Sequence, residues 1–404
     1  MSHPLHVNAY TRAIQPSATL VISARAGELA ASGRTIFKFA AGQPDFPPPA
    51  PITEAVTRRL QGAQVGYSPV PGFPELRDAI AAELSRFHGR PFSRKQILVS
   101  NGAKHTLINL LMTTLEPGDE VIIPAPFWVS YPEMVRLASG TPVLVSCPRS
   151  ESFKLTPERL AAALGPKTKF VIVNSPSNPT GMAYTSAELR ALGEVIAARA
   201  PQTWVLTDDI YRRLCYSQVE VASAFQAMKG IAGIEDQIIP IDGVSKSHSM
   251  TGWRIGYLAA PLEIAEGINA LQGQMTSGAS TPAQWAALAA LTDPRVPAEV
   301  EAMVEKFAER KLAMCEGLRA SGLEFVEPDG AFYVFPEVSD LLGEGRRFAD
   351  DLGLAKWLLE DHGVATVPGS AFGAPGHLRL SFATALAEIR AGMQVFGAAV
   401  ASLR

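Results

Sequence analysis

Residues 241–257 read IDGVSKSHSMTGWRIGY, with Lys246 at the centre and small or hydroxylated residues on both sides. The apolar run Ile238 to Ile241 leads in, and a second strand-like run, Arg254 to Leu258, leads out. Both runs predict buried strands, which puts the lysine in the loop between them. A lysine is seldom fully buried without a partner. Burial disfavours its charged form, lowers its pKa and frees the neutral amine. That amine is what a Schiff-base lysine uses. The ordinary alternative is a loop lysine with a solvated head.

The neighbours bear on that choice. Ser245 precedes the lysine and Arg254 follows it in the same stretch. A hydroxyl and a guanidinium beside a reactive amine suit a phosphorylated aldehyde, because arginine grips phosphate through two parallel hydrogen bonds. The ligand that needs both an amine linkage and a phosphate clamp is pyridoxal 5′-phosphate (PLP).

Outward from this loop, strand and helix alternate. Ile97 to Ser100, Val121 to Ile123, Pro142 to Val145, Lys169 to Asn174, Trp204 to Thr207 and Ile238 to Ile241 read as short strands. They are continuously apolar, as expected when helices cover both faces. Helices fall between them, one with a capping box, TSAE at 185–188. This pattern predicts an α/β domain with a mainly parallel sheet flanked by helices. After Pro261 it changes to three helices and then short strands near 323–326, 331–335, 364–367 and 377–382. That is a smaller α+β domain. Phe37 to Ala41 reads as a further short strand, followed by the proline-rich connection AGQPDFPPPAP. The expected division is an N-terminal segment, 1–45, packing with the small domain, a large PLP-binding domain, 46–292, and a small C-terminal domain, 293–404.

Bulk properties narrow the class. At 404 residues the chain is long enough for two domains, and 47% apolar with 19% charged residues fits a soluble protein. A net charge of −3 advertises neither nucleic acid nor an anionic membrane. No apolar run reaches the length of a membrane span. Cys147, Cys215 and Cys315 are far apart and form no CxxC pair, as in a reducing cytoplasm. Arg12 and Arg25, with no acid before Glu28, faintly resemble a transit peptide, but Ser17 to Leu29 already reads as a capped helix, so a cytoplasmic location is expected. No metal site is expected.

Ligands of an open parallel sheet sit beyond the carboxyl ends of its strands, and several candidates fall there. SNGAKHT at 100–106 follows a strand and opens a helix, so it is either a tight turn or an anion site at a positive helix end. In NSPSNPTG at 174–181, Asn178 fits both a turn asparagine and a donor aimed into the cleft. In TDDIY at 207–211, a carboxylate at the sheet mouth is costly to bury unpaired. A protonated pyridine nitrogen would pair it, and Asp208 is favoured over Asp209. Trp128, in PAPFW, is either core or a platform for an aromatic ring. Arg379, in HLRLSF at 377–382, lies inside an apolar strand and needs an anion, either a substrate carboxylate or a structural acid.

Together SKSHSMTGWRIGY, NSPSNPTG and TDDIY resemble the class I PLP-dependent aminotransferases of fold type I. The likeness is to the aspartate aminotransferase branch that includes prephenate aminotransferases, and it runs from PSAT at 16–19 to LRLSFAT at 378–384. It implies that Lys246 carries the cofactor covalently and shuttles the proton between Cα and C4′. Asp208 would pair with the pyridine nitrogen. Tyr211 and Asn178 would bond the ring's phenolic oxygen, and Trp128 would stack on the ring. Gly102, Ala103, Ser245 and Arg254 would hold the phosphate. Tyr67 would reach the phosphate of a partner subunit's cofactor, which implies a homodimer. Arg379, Asn178 and the backbone of Gly42 would bind the α-carboxylate. Thr19 and Lys104 match the positions that recognise a distal carboxylate; Lys104 beside the phosphate turn could otherwise simply face solvent.

The resemblance implies exchange of amino groups between aspartate- or glutamate-type amino acids and oxaloacetate, 2-oxoglutarate or prephenate. His105 stands where glutamine is common and His248 where tyrosine is common, both expected near the cleft. Competing readings are a transaminase of aromatic or neutral amino acids and a PLP-dependent lyase. A PLP-binding transcriptional regulator is disfavoured, because the resemblance begins by Pro16.

Overall fold

The computed structural model describes residues 5–7, 11–12, 14, 16–62, 64–216 and 221–404. Its main sheet has seven strands: β1 (Ile97–Ser100), β2 (Glu120–Ala125), β3 (Thr141–Ser146), β4 (Thr168–Asn174), β5 (Trp204–Asp208), β6 (Ile238–Gly243) and β7 (Gly256–Ala259), in the order β1-β7-β6-β5-β4-β2-β3. The pairs from β3 across to β6 are parallel. The reversed strand is β7, antiparallel to both β1 and β6. Its direction follows from the loop that carries Lys246. A parallel neighbour needs a crossover connection, usually helical. Segment 244–255 contains only turns and one 3-10 helix, Thr251–Trp253, so the chain doubles back.

The sheet is buried on both faces, and successive residues show it. Ile123, Ile172, Leu206 and Ile239 join one apolar cluster, while Ile122, Val171, Val205 and Ile238 join another. The expected continuous apolar strands therefore describe a sheet between two layers of helices. The parallel register sets Asn174 beside Asp208 and Asp208 beside Ile241, so both polar groups emerge at one edge.

A second sheet of three antiparallel strands orders β8 (Tyr333–Val334), β10 (Leu378–Ser381) and β9 (Val367–Pro368). Helices Val296–Ala320, Asp351–His362 and Leu386–Ala401 cover it. The N-terminal segment packs here. Ala26, Leu29 and Ala40 share a core with Phe335, Leu359 and Val367, and Phe39 joins Phe332 and Phe382. The long helix begins in one core and ends in another: Val296 and Val300 pack with Ile52 and Val56, whereas Phe307 and Leu318 pack with Phe39.

Two expected strands are absent. Within 37–41 only Phe37 makes a bridge, to Val364, and the chain then turns toward the cleft. Residues 323–326 form no ladder; Leu323 and Phe325 pack by their side chains, and the carbonyl of Glu324 accepts from the Glu337 amide at 2.8 Å. Apolar side chains mark burial in both places, but whether a buried segment joins a ladder depends on its tertiary context. Among the described residues, no helix is long and apolar enough to cross a membrane.

Candidate active site

Asp208 closes β5 and is 4% exposed. One carboxylate oxygen accepts from the Tyr131 hydroxyl at 2.6 Å and the other from the Ile210 amide at 3.3 Å. Neither donor neutralises the charge, and burial pushes the carboxyl up to about 6, against the pull of the Tyr131 bond. Asp209 turns elsewhere. Its carboxylate accepts from Thr207 at 2.9 Å and lies 3.9 Å from His88. Of the two carboxylates, Asp208 is the one on which the Lys246 charge acts.

Lys246 sits across from it in the loop between β6 and β7. Its ammonium donates to the carbonyl of Gly42 at 2.6 Å. Burial lowers its pKa to about 8, and the guanidinium groups of Arg254 and Arg379 press the same way, while Asp208 opposes them. The neutral amine is thus far more accessible near neutral pH than that of an ordinary lysine, which is the condition for a nucleophilic lysine.

Arg379 lies on β10 and is 1% exposed. It donates to the Asn178 side-chain oxygen at 3.0 Å and to the Ala40 carbonyl at 2.9 Å. Its Nε is buried and finds no hydrogen-bond partner among the described residues. Tyr333 lies under the guanidinium at 4.4 Å, and Phe372 flanks it at 5.1 Å. A buried guanidinium held only by neutral acceptors suits an anionic ligand, because nothing in its shell offsets the charge. Asn178 is itself held by Asn174, whose side-chain oxygen accepts from its amide at 2.9 Å and whose amide donates to the Asp208 carbonyl at 2.8 Å. The Tyr211 hydroxyl pairs with that of Tyr333 at 3.0 Å.

At the other end of the cleft, Gly102 adopts φ 88° and caps helix Ala103–Thr114. A Cβ there would lie 2.5 Å from an Arg254 guanidinium nitrogen, and one on Gly256 would lie 2.1 Å from the Ala103 amide nitrogen. These two glycines let arginine and helix N-terminus converge, a pairing suited to phosphate. Ser245 is buried next to Lys246. The Trp128 ring meets Tyr131 edge-on at 5.3 Å, and the Lys104 ammonium stands 4.9 Å from its centre.

The structure therefore brings together Lys246, Asp208, Tyr211, Asn178, Trp128, Gly102, Ala103, Lys104, Arg254, Ser245, Gly42 and Arg379. The hydrogen bonds of this cluster do not reach Thr19, in the helix Ala18–Ala31, or Tyr67, which is 96% exposed. His105 receives the Asn101 amide on Nδ1 at 3.2 Å, beside the phosphate-side turn. His248 is 2% exposed and pairs through Nδ1 with the Ser247 hydroxyl at 2.8 Å; burial, with the charges of Arg213 and Arg212, lowers its pKa to about 3. Tyr131, Tyr333 and Asn174 were missed. Tyr131 lies one helical turn past Trp128, a readable cue. Tyr333 meets the site only because it pairs with Ser381 across β8 and β10.

The donor set fits PLP. The buried carboxylate has no neutralising partner, the amine is primed, and the two glycines leave room where arginine and helix end meet. A mainly parallel sheet with this cluster at its carboxyl edge defines a PLP-dependent transferase of fold type I. Residues 34–396 match the class I and II aminotransferases, and the chain belongs to that family. It is 44% identical over 392 residues to the aspartate/prephenate aminotransferase of Cereibacter sphaeroides (strain ATCC 17029 / ATH 2.4.9), covering 95% of this chain and 96% of that one. It is 42% identical to the aspartate aminotransferase of Geobacillus stearothermophilus, covering 94% and 95%. The structure of Thermus thermophilus aspartate aminotransferase with maleate matches at a TM-score of 0.91 and 38% identity, covering 98% of this chain and 100% of that one. The protein is an aminotransferase, and its cofactor is PLP.

Proposed function

We propose that the protein moves amino groups between aspartate or glutamate and 2-oxo acids, with oxaloacetate, 2-oxoglutarate and prephenate as acceptors. The observation that carries this reading is Arg379, a buried guanidinium with neutral partners and an unpartnered Nε. It binds the substrate α-carboxylate, with Asn178 and the Gly42 backbone beside it. Lys104 supplies a second cation on the Trp128 side. With Thr19 it selects a distal carboxylate, so acidic amino acids are preferred by charge pairing.

When bound, PLP supplies an aldehyde for the lysine amine and a protonated ring that accepts electron density from Cα. The chain's residues do the rest. Asp208 keeps the pyridine nitrogen protonated by ion pairing. Tyr211 and Asn178 donate to the phenolic oxygen, and Trp128 covers one face of the ring. Gly102, Ala103, Ser245 and Arg254 hold the phosphate. Lys246 would hold the cofactor through its aldehyde and would act as the base that moves the substrate's Cα proton, a role that needs a pKa near neutrality.

Tyr67 serves a second copy of the chain in a homodimer. An aromatic side chain 96% exposed, with Val65 and Met275 each 48% exposed, is apolar surface that a partner would cover. The division into an N-terminal segment, 1–45, a large domain, 46–292, and a small domain, 293–404, fits the packing of Ala26 and Leu29 against C-terminal residues. Three free cysteines fit a cytoplasmic location.

A panel of amino donors and keto acceptors tests the assignment. Aspartate and glutamate should be the best donors. Turnover of aromatic or alanine donors with failure of every dicarboxylic donor would remove the roles given to Lys104 and Thr19.

A further inference from the structure

The loop that carries Tyr67 is fastened by two buried glutamines, and one of them also fastens the phosphate-side turn. Gln272, on helix Leu262–Met275, is 0% exposed and uses its whole amide. Its oxygen accepts from Ser100 at 2.6 Å and from Asn109 at 2.9 Å. Its nitrogen donates to the carbonyls of Val70 at 2.8 Å and Val99 at 2.9 Å. Ser100 is the last residue of β1 and leads into Asn101 and Gly102, while Val70 lies in the loop GYSPVPGF at 66–73. Gln284, also 0% exposed, reaches only that loop and its neighbour. It accepts from the Phe73 amide at 2.8 Å and donates to Ser68 at 2.8 Å and to the Ala279 carbonyl at 2.9 Å. The Thr281 hydroxyl adds a bond to the Gly66 carbonyl at 2.7 Å.

A buried amide with all its donors and acceptors satisfied specifies one arrangement of the segments it joins. The loop is thus held rigidly while its tip, Tyr67, stands free. We propose that Gln272 is a positioning residue for two sites at once: it sets this chain's own phosphate-side turn and, through Val70, the arm that carries Tyr67 to the partner's cofactor. Gln284 positions the arm alone. The inference rests on the homodimer reading above.

Hybrid dimers separate the two effects. One chain carries Lys246→Ala, so a single site per dimer fixes PLP on borohydride reduction. A second substitution on the Lys246→Ala chain reports in trans, and on the other chain in cis. The readout is the PLP concentration for half-maximal fixation, with dimers verified by sedimentation and folding by thermal melting. Tyr67→Phe should raise that concentration in trans by about fivefold, the scale of one net hydrogen bond. Gln284→Met should act in trans alone, and Gln272→Met both in trans and in cis. Absence of a dimer, or no effect of Tyr67→Phe in trans, would defeat the homodimer reading and this inference with it. A trans effect of Tyr67→Phe beside a purely cis effect of Gln272→Met would overturn the inference and leave the dimer standing. Should Gln272→Met chains fail to fold, a silent Gln284→Met in trans overturns the arm's positioning, and a trans effect supports it.

Discussion

Arg212 and Arg379 are both buried, 7% and 1% exposed, yet they sit in opposite electrostatic company. Arg212 donates to Asp242 at 2.7 Å and to Glu83 at 2.9 Å, over the Phe87 ring at 4.4 Å. Burial works against its charge, but Asp242 and Glu83 outweigh burial and hold its proton more tightly than usual. Arg379 has a neutral amide, a carbonyl and an idle Nε, and burial loosens its proton. The first arginine is finished within the fold and ties the loop after β5 to helix Pro74–His88. The second has only neutral hydrogen-bond acceptors among the described residues, as the proposed carboxylate-binding role requires. The same contrast separates Asp242, paired with Arg212, from Asp208, whose hydrogen bonds are neutral. Unfinished charge, more than burial, sets the proposed functional groups apart.

Removing an unfinished group should cost chemistry, and removing a finished one should cost stability. The largest effect is expected for Asp208→Ala, a fall in kcat of about 10³-fold, on the scale of an uncompensated buried charge. Unchanged single-turnover rates would contradict it. Arg212→Met should lower unfolding free energy by about 3–5 kcal/mol, because Asp242 loses its cationic partner, while Glu83 keeps Arg213 and Arg86. Denaturant titration measures this, and substrate KM should hardly move. Arg379→Ala should do the reverse: kcat/KM for dicarboxylic substrates falls about 10²-fold, the scale of two charge-assisted hydrogen bonds, while the melting temperature holds or rises. A destabilised Arg379→Ala with normal kinetics would break the comparison. Tyr131→Phe should cost about ten- to a hundredfold in kcat, the worth of one bond to a charged acceptor.

The smallest effect is one of pH. Lys246 titrates near 8 in the fold, below the 10.5 of an ordinary lysine. Between those values the unfolded chain holds a proton that the folded one has released, so the cofactor-free protein gains stability from this group as pH rises from about 8 toward 10.5. Below about 8 that gain is absent. The rate of PLP uptake by cofactor-free protein should climb with pH through a midpoint near 8. A midpoint near 10.5 would show an ordinary solvated lysine.

Local chemistry explains what the sequence made legible. The helix Pro74–His88 ends where Gly89 takes φ 66°, and the TSAE capping box opens Ser186–Arg199 as its spacing demands. Lys246, Asp208, Asn178 and Arg379 each sit in a turn or strand whose neighbours narrow their roles. Long-range pairing stayed hidden. The reversal of β7, the pairing that brings Tyr333 under Arg379, and the orientation of His248 depend on contacts between distant segments. Local apolar character also overstated the strand at 37–41, because it reports burial and is blind to whether a ladder partner exists.

The central claim is that one amine carries the cofactor. Borohydride reduction of the PLP-loaded protein, followed by peptide mapping, tests it most directly. The account predicts a single pyridoxyl adduct on Lys246, lost in Lys246→Ala; an adduct on Lys104 or any other lysine, with turnover intact in Lys246→Ala, would contradict it.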